Sequence, residues 1–343
     1  MGKGRIQSLD GLRAVSITAV TVSHFAKHFF PAQANLPLMN LGVAGVDVFF
    51  VISGFLITSL MLREHDKYGR ISLTGFYRRR CLRIFPAYFF FLLLVFVLSR
   101  FALLPINNHA WPYLLTYTYN LNPHLGLASV GQVWSLCVEE HFYLLWPFTV
   151  VLLGVRRAPI ALYACILAAI ALRFWLFLSH SALDIEFFSP TRLDTIAVGC
   201  LLAFAFRRPW IQRVRGERLA ACAIAVLFTS VFLIHSGKYQ LGPAHFIEAA
   251  MIAVVIACLV QDASGPMGRF FNWRPVVWIG VLSYSIYLAQ TIVYENLFPF
   301  ALRIPAALLY ACFSYYLIES PFLKLKDRTK APAAKVEQVA AGS

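Results

Sequence analysis

Ten apolar runs, each of roughly 17 to 25 residues and parted by short polar or basic loops, leave this chain one environment: a bilayer crossed by helices. They fall near 12–30, 42–62, 84–104, 132–153, 159–179, 191–206, 218–236, 244–262, 276–297 and 304–322. In lipid a backbone N–H or C=O must find its partner inside the protein, and runs of this length do so as helices. Composition agrees, since 13% of residues are charged against about 25% in a soluble domain. The predicted fold is all-α, a polytopic membrane helical bundle of about ten transmembrane helices. Residues 1–325 form one integral-membrane domain, and 326–343, poor in aromatics, are predicted to be a disordered cytoplasmic tail.

Orientation follows from charge. With both termini cytoplasmic, Arg63 to Arg83, Arg156 and Arg157, Arg207 to Arg218, Arg269, Arg274 and the Lys324 to Lys335 tail all lie inside, as the positive-inside rule requires. The outer loops at 31–41, 105–131, 180–190 and 237–243 contain only Lys238 as a Lys or Arg. The net charge of +14 therefore reads as topology, with the lipid bilayer as partner and no nucleic acid. Trp111 to Asn122 is too short to cross and would reverse that topology, so it is predicted to be a re-entrant or interfacial helix, its aromatics suiting the membrane interface. Arg13 interrupts the first run and no small-residue cleavage site follows cleanly, which argues against a cleaved signal. The seven cysteines form no CxxC pair, and neither a disulfide framework nor a zinc site is indicated.

Within this apolar background the charges stand out. Glu139 and Glu140 lie in VWSLCVEEHFYLLWPF, where a lipid-facing helix carries none. An ionisable residue at membrane depth is by default a functional candidate, because a bare buried carboxylate costs several kcal/mol or more. Counting helical rise puts His24 about 18 Å, Glu139 about 20 Å and Ser53 about 14 Å from the cytoplasmic face, with Asp47 above Ser53. A polar layer near the midplane is expected. A neutral imidazole such as His24 can take a proton from an attacking hydroxyl, and a nearby carboxylate would orient it. The alternative is that His24 bonds a neighbouring helix. His24 and His28 are also spaced as a metal pair, but no motif places a third ligand, so no metal is expected.

On the inner side, FYRRRCLRIFPAY puts Arg80 and Arg83 on one helix face, suited to phosphate or simply to anionic lipid. Arg13 lies inside the hydrophobic boundary, where only snorkelling would otherwise keep it. Ser53 and Gly54 permit close approach of a ligand or of another helix. Arg192 and Asp194 read as a self-contained ion pair. Ser283, Ser285 and Gln290 suit interhelical hydrogen bonds, His141 the interface, and the stretch from His245 to Glu248 shows no motif.

Five segments in order resemble the integral-membrane acyltransferase family 3: LDGLRAVSITAVTVSHF (9–25), GVDVFFVISGFLI (45–57), FYRRRCLRIFPAY (76–88), QVWSLCVEEHFYLLWP (132–147) and RLDTIAVGCLLA (192–203). LSYSIYLAQ (282–290) extends the similarity. The resemblance implies an acyl-CoA-dependent O-acyltransferase of carbohydrates in the bacterial inner membrane, here without the esterase-like SGNH domain fused to some members. It implies His24 and Glu139 as the catalytic residues. Arg13, Ser53, Gly54, Phe55, Arg80 and Arg83 would then bind acyl-CoA, acetyl-CoA by default, as a co-substrate rather than a resident cofactor. Asp47, Trp134, Glu140, Arg192 and Asp194, nearer the outer face, are candidates for the carbohydrate acceptor. Direct transfer and a covalent acyl-His intermediate both remain open, and the sequence sets no oligomeric state. The competing class is a transporter or lipid-linked sugar flippase, which would use the same midplane residues; no inverted repeat favours it.

Overall fold

The computed structural model describes residues 6–29, 40–122, 125, 130–180, 185–233, 244–294, 297 and 299–328. The expected disordered tail, 326–343, begins too early, since 326–328 continue the helix Ser320–Arg328; its remainder from 329 onward, the outer Lys238 and the side chain of His28 lie outside the described residues. Among the described residues every regular element is helical: α1 (Gln7–Phe29), α2 (Leu41–Tyr68), α3 (Leu73–Arg100), α4 (Trp111–Leu115), α5 (Val133–Leu153), α6 (Ala158–Leu178), α7 (Leu193–Ala205), α8 (Glu217–Leu233), α9 (Ala244–Gln261), α10 (Pro266–Phe271), α11 (Arg274–Tyr294), α12 (Arg303–Phe313) and α13 (Ser320–Arg328). A π-helical turn, Ser314–Glu319, joins the last two.

Each of the ten expected spans coincides with helix. Seven of the described helical stretches are long and apolar enough to cross a membrane. The others fall short for visible reasons: α1 carries Asp10, Arg13 and Lys27, while α7 has 13 residues and α8 has 17. Leu145, Leu152, Leu167 and Trp175 on α5 and α6 stay exposed at 57%, 70%, 68% and 62%. Apolar faces of this extent belong against lipid tails.

The chain forms two compact units, one from residues 1–71 and 106–283 and the other from 72–105 and 284–343. In the larger unit α2 and α7 press backbone to backbone. A Cβ on Gly54 would collide with the Ile196 carbonyl, and one on Gly199 with the Val51 carbonyl. Gly54 therefore serves the helix packing that small residues allow, and Phe55 is a buried core ring 5.4 Å from Phe206. Gly54→Val is expected to cost about 3 kcal/mol, the upper end for overpacking, read as a lowered unfolding temperature in detergent.

Register fixes the depth of every polar group. α1 runs antiparallel to α2, with Gly42 against Ser23 and Gly45 against Val20. α5 runs parallel to α2: Trp134 lies 6.1 Å from Phe50, Glu139 meets Ser53, and the Trp146 Nε1 donates to Thr58 Oγ1 at 2.9 Å. In the smaller unit, Ser72 caps α3 by accepting from the Gly75 N–H at 3.1 Å. There Phe90 stacks on Tyr310 at 5.9 Å, Tyr284 donates to the Ile84 carbonyl at 3.3 Å, and Ser285 bonds both Ser314 and Glu319 of the π-helical turn.

Candidate active site

Two polar stations lie along α2. The lower one is Glu139, half-buried on α5. Ser53 Oγ donates to its Oε1 at 2.9 Å, and the Tyr143 hydroxyl, one turn along α5, donates to its Oε2 at 3.1 Å. The structure thus joins Ser53 and Glu139, which lie in separate sequence motifs. A carboxylate accepting two hydroxyl hydrogens keeps its charge at far less cost than a bare one. Glu140, its neighbour, is also half-buried, but the helical step turns it about 100° away.

His24 belongs higher. Ser23 packs on Gly42, so about eleven residues of α2, ~16 Å of rise, separate the level of His24 from Ser53 and Glu139. The shared level expected of His24 and Glu139 does not hold. Their depths matched only when every span was taken to start at the same height; α5 starts opposite Phe50, well along the 28-residue α2. Arg13 sits below, paired with Asp10 at 3.2 Å. Arg80 and Arg83 are on α3 in the smaller unit.

The upper station is a buried ion network at the Leu41 end of α2. Arg192, just ahead of α7 and wholly buried, donates from Nη2 to Asp47 Oδ1 and places Nη1 2.5 Å from His245 Nδ1 and 3.8 Å from Glu186 Oε2. Its guanidinium lies 5.8 Å from the Trp134 ring and 6.0 Å from the Phe50 ring, an added cation–π attraction. Arginine can only donate, so in that contact His245 Nδ1 is the acceptor, which for a neutral imidazole puts the proton on Nε2. That nitrogen faces Glu186 Oε1 at 3.3 Å. Glu248, one turn along α9, accepts from Ser230 Oγ at 2.6 Å and turns Oε2 to within 3.7 Å of His245 Nδ1.

Asp194 takes no part in a pair with Arg192. Its partner is Arg173 of α6, at 2.7 Å and with both side chains wholly buried. Asp194 lies in the first turn of α7 while Arg192 precedes the helix, and the two serve different neighbours. Arg173 also holds the Thr191 carbonyl, while Asn120 donates to the Phe187 carbonyl at 2.8 Å and to Ser189 Oγ at 2.7 Å. The segment expected at the interface thus contributes Asn120 to the loop that carries Glu186 and Arg192.

Sequence reasoning passed over Arg173, Tyr143, Glu186 and the His245 to Glu248 pair. For Arg173 and Glu248 the signal was present as single charges within apolar runs, the same signal that exposed Glu139. One grouping of donor atoms within reach of a single ion occurs among the described residues, Asp47, His245 and Glu248 within 4.8 Å of one another. The Arg192 guanidinium already stands on His245 Nδ1 and Asp47, so a second cation there would meet a fixed positive charge.

A lipid-facing helical shell around buried carboxylate, imidazole and guanidinium groups is the make-up of a polytopic membrane enzyme or transporter. Comparison with known proteins decides the class. A profile described as an acyltransferase domain, that of acyltransferase family 3, matches residues 6–318, and the chain belongs to that family. The O-acetyltransferase OatA of Staphylococcus aureus is 27% identical over an alignment covering 93% of this chain and 57% of that protein. The peptidoglycan O-acetyltransferase OatA of Listeria monocytogenes is 28% identical, covering 93% and 56%. The chain spans little more than half the length of these relatives. No solved structure matches it significantly.

Proposed function

We propose that the chain is a membrane O-acyltransferase that moves an acyl group, acetyl by default, from cytoplasmic acyl-CoA to a carbohydrate hydroxyl on the opposite face of a bacterial plasma membrane. The observation that carries this reading is the placement of two polar stations at different depths along one helix, in a chain of the acyltransferase family. A donor from one face and an acceptor from the other would need such stations. The name of the Listeria relative supports a glycan acceptor.

In this reading Arg80 and Arg83 of the smaller unit and, separately, Arg13 of the larger unit are guanidinium forks suited to acyl-CoA phosphates, and Ser53 faces the pantetheine arm. Glu139, fixed by Ser53 and Tyr143, accepts hydrogen bonds from the amide groups of that arm, a donor-side task that replaces direct orientation of His24. His24, higher on α1, takes the proton of the acceptor hydroxyl as its oxygen attacks the thioester carbonyl. The C–S bond breaks, the acyl group passes to oxygen, and thiolate leaves toward the cytoplasm.

Purified protein given labelled acetyl-CoA and a glycan acceptor should release free CoA and label the glycan. A transporter would do neither. Arg80→Ala together with Arg83→Ala should raise the acyl-CoA requirement at least tenfold, about 1.4 kcal/mol, with little change in the maximal rate. An unchanged requirement would return these arginines to a purely topological role.

A further inference from the structure

His245 has a carboxylate on each ring nitrogen. Nε2 faces Glu186 Oε1 at 3.3 Å; Nδ1 faces Asp47 Oδ2 at 3.5 Å and Glu248 Oε2 at 3.7 Å. Glu186 is 24% exposed at its side chain, whereas Asp47 and Glu248 are wholly buried and His245 is 1% exposed. Among the described residues, Asp47 Oδ2 and Glu248 Oε2 have no closer polar partner than the His245 ring. An imidazole set between a solvent-reaching carboxylate and two buried ones has the geometry of a proton shuttle.

Counting charges leads the same way. Within the network three carboxylates face one guanidinium, and Arg173 and Asp194 cancel each other. Lys27, at the upper end of α1, acts on Glu186. With Glu186 partly exposed and next to Lys27, the wholly buried part of the network holds two carboxylates, Asp47 and Glu248, against one guanidinium, with the imidazole of His245 between them.

We propose that Asp47, His245, Glu248 and Glu186 form a proton relay joining the interior of the larger unit to solvent at the Leu41 end of α2. The proposal rests on the O-acyl transfer reading for its purpose. When acceptor and CoA lie on opposite faces, thiolate regains a proton on the donor side, and the proton taken from the acceptor hydroxyl has to leave on the other. The level of Asp47 is about six residues of α1 below His24, ~9 Å of rise. In the relay a proton on the Asp47 or Glu248 carboxyl passes to His245 Nδ1, and the Nε2 proton passes to Glu186 and on to water. One proton enters the ring as one leaves, and rotation of the ring resets it. Arg192 Nη1, between Nδ1 at 2.5 Å and Glu186 Oε2 at 3.8 Å, must swing toward Glu186 as Nδ1 is protonated. Among the described residues, the charged groups facing the ring are Asp47 from α2, Arg192 ahead of α7, Glu186 from the loop and Glu248 from α9, with Ser230 of α8 and Lys27 of α1 one contact further out.

The test needs no substrate. Infrared difference spectra of the purified protein across the neutral pH range should show the carbonyl stretch of a protonated carboxylic acid. Its pH response should be lost in His245→Gln and weakened in Glu186→Gln, the latter a partly exposed position where folding is least at risk. A band that titrates identically in both folded variants, or no band at all, overturns the relay. In a parallel assay of CoA release, His245→Gln should lower the maximal rate about tenfold and raise the solvent deuterium isotope effect, without changing the KM for acyl-CoA. A titrating band in a protein that never releases CoA would sink the transfer reading and leave the relay standing.

Discussion

Replacing His24 with Ala is expected to cut acyl transfer roughly 100- to 10,000-fold, the range contributed by a positioned general base. The protein should still extract as a folded species and bind acyl-CoA, because the arginines assigned to the phosphates lie elsewhere, Arg13 about 16 Å of rise below. His24→Gln should behave similarly, since an amide keeps the hydrogen bond and loses the basicity. Transfer at the unsubstituted rate by either variant would remove His24 from the chemistry. Loss of CoA binding along with activity would assign it to the donor pocket instead.

The second large effect concerns stability. Asp47→Asn should lower it by about 3–5 kcal/mol, because the wholly buried Arg192 loses the charge that compensates it. The comparison is the exposed pair Arg207 and Asp66, 2.5 Å apart at 41% and 50% exposure, where Arg207→Gln should cost at most about 1 kcal/mol. Pairing Asp47→Leu with Arg192→Met should recover part of the loss, since no buried guanidinium is then stranded, although Glu186 and Glu248 lose the cation they face. Unfolding in detergent followed by circular dichroism reads all three. If Asp47→Asn and Arg207→Gln cost the same, the upper station is not held by that ion pair.

The helices were legible because lipid imposes a simple rule of length and apolarity. All ten runs fall on helix, and the short Trp111–Leu115 helix marks the segment expected not to cross. Charges within apolar runs were legible as anomalies, but their partners were not. Partnership depends on the register between helices far apart in sequence, and no local pattern encodes it: Glu139 is 86 residues from Ser53, and Asp47 is 145 from Arg192. Arg192 with Asp194 failed for the opposite reason, since nearness in sequence suggested a pair, whereas Arg192 meets Asp47 of α2 and Asp194 meets Arg173 of α6. Gly54 was readable as a point of close approach, but what approaches it, the Ile196 carbonyl, is a property of α7.

The smaller unit has a consequence for how the chain is made. α3 packs against the π-helical turn and α13, so its partners emerge from the ribosome only after the intervening stretch from 106 to 283. At about 5–20 residues per second, those roughly 180 residues take on the order of 10–40 s. For that interval α3, with Arg80 and Arg83 near its start, waits in the membrane while the larger unit is synthesised. Truncation before Tyr284 would leave it stranded as a target for quality-control proteases, however well the rest had assembled.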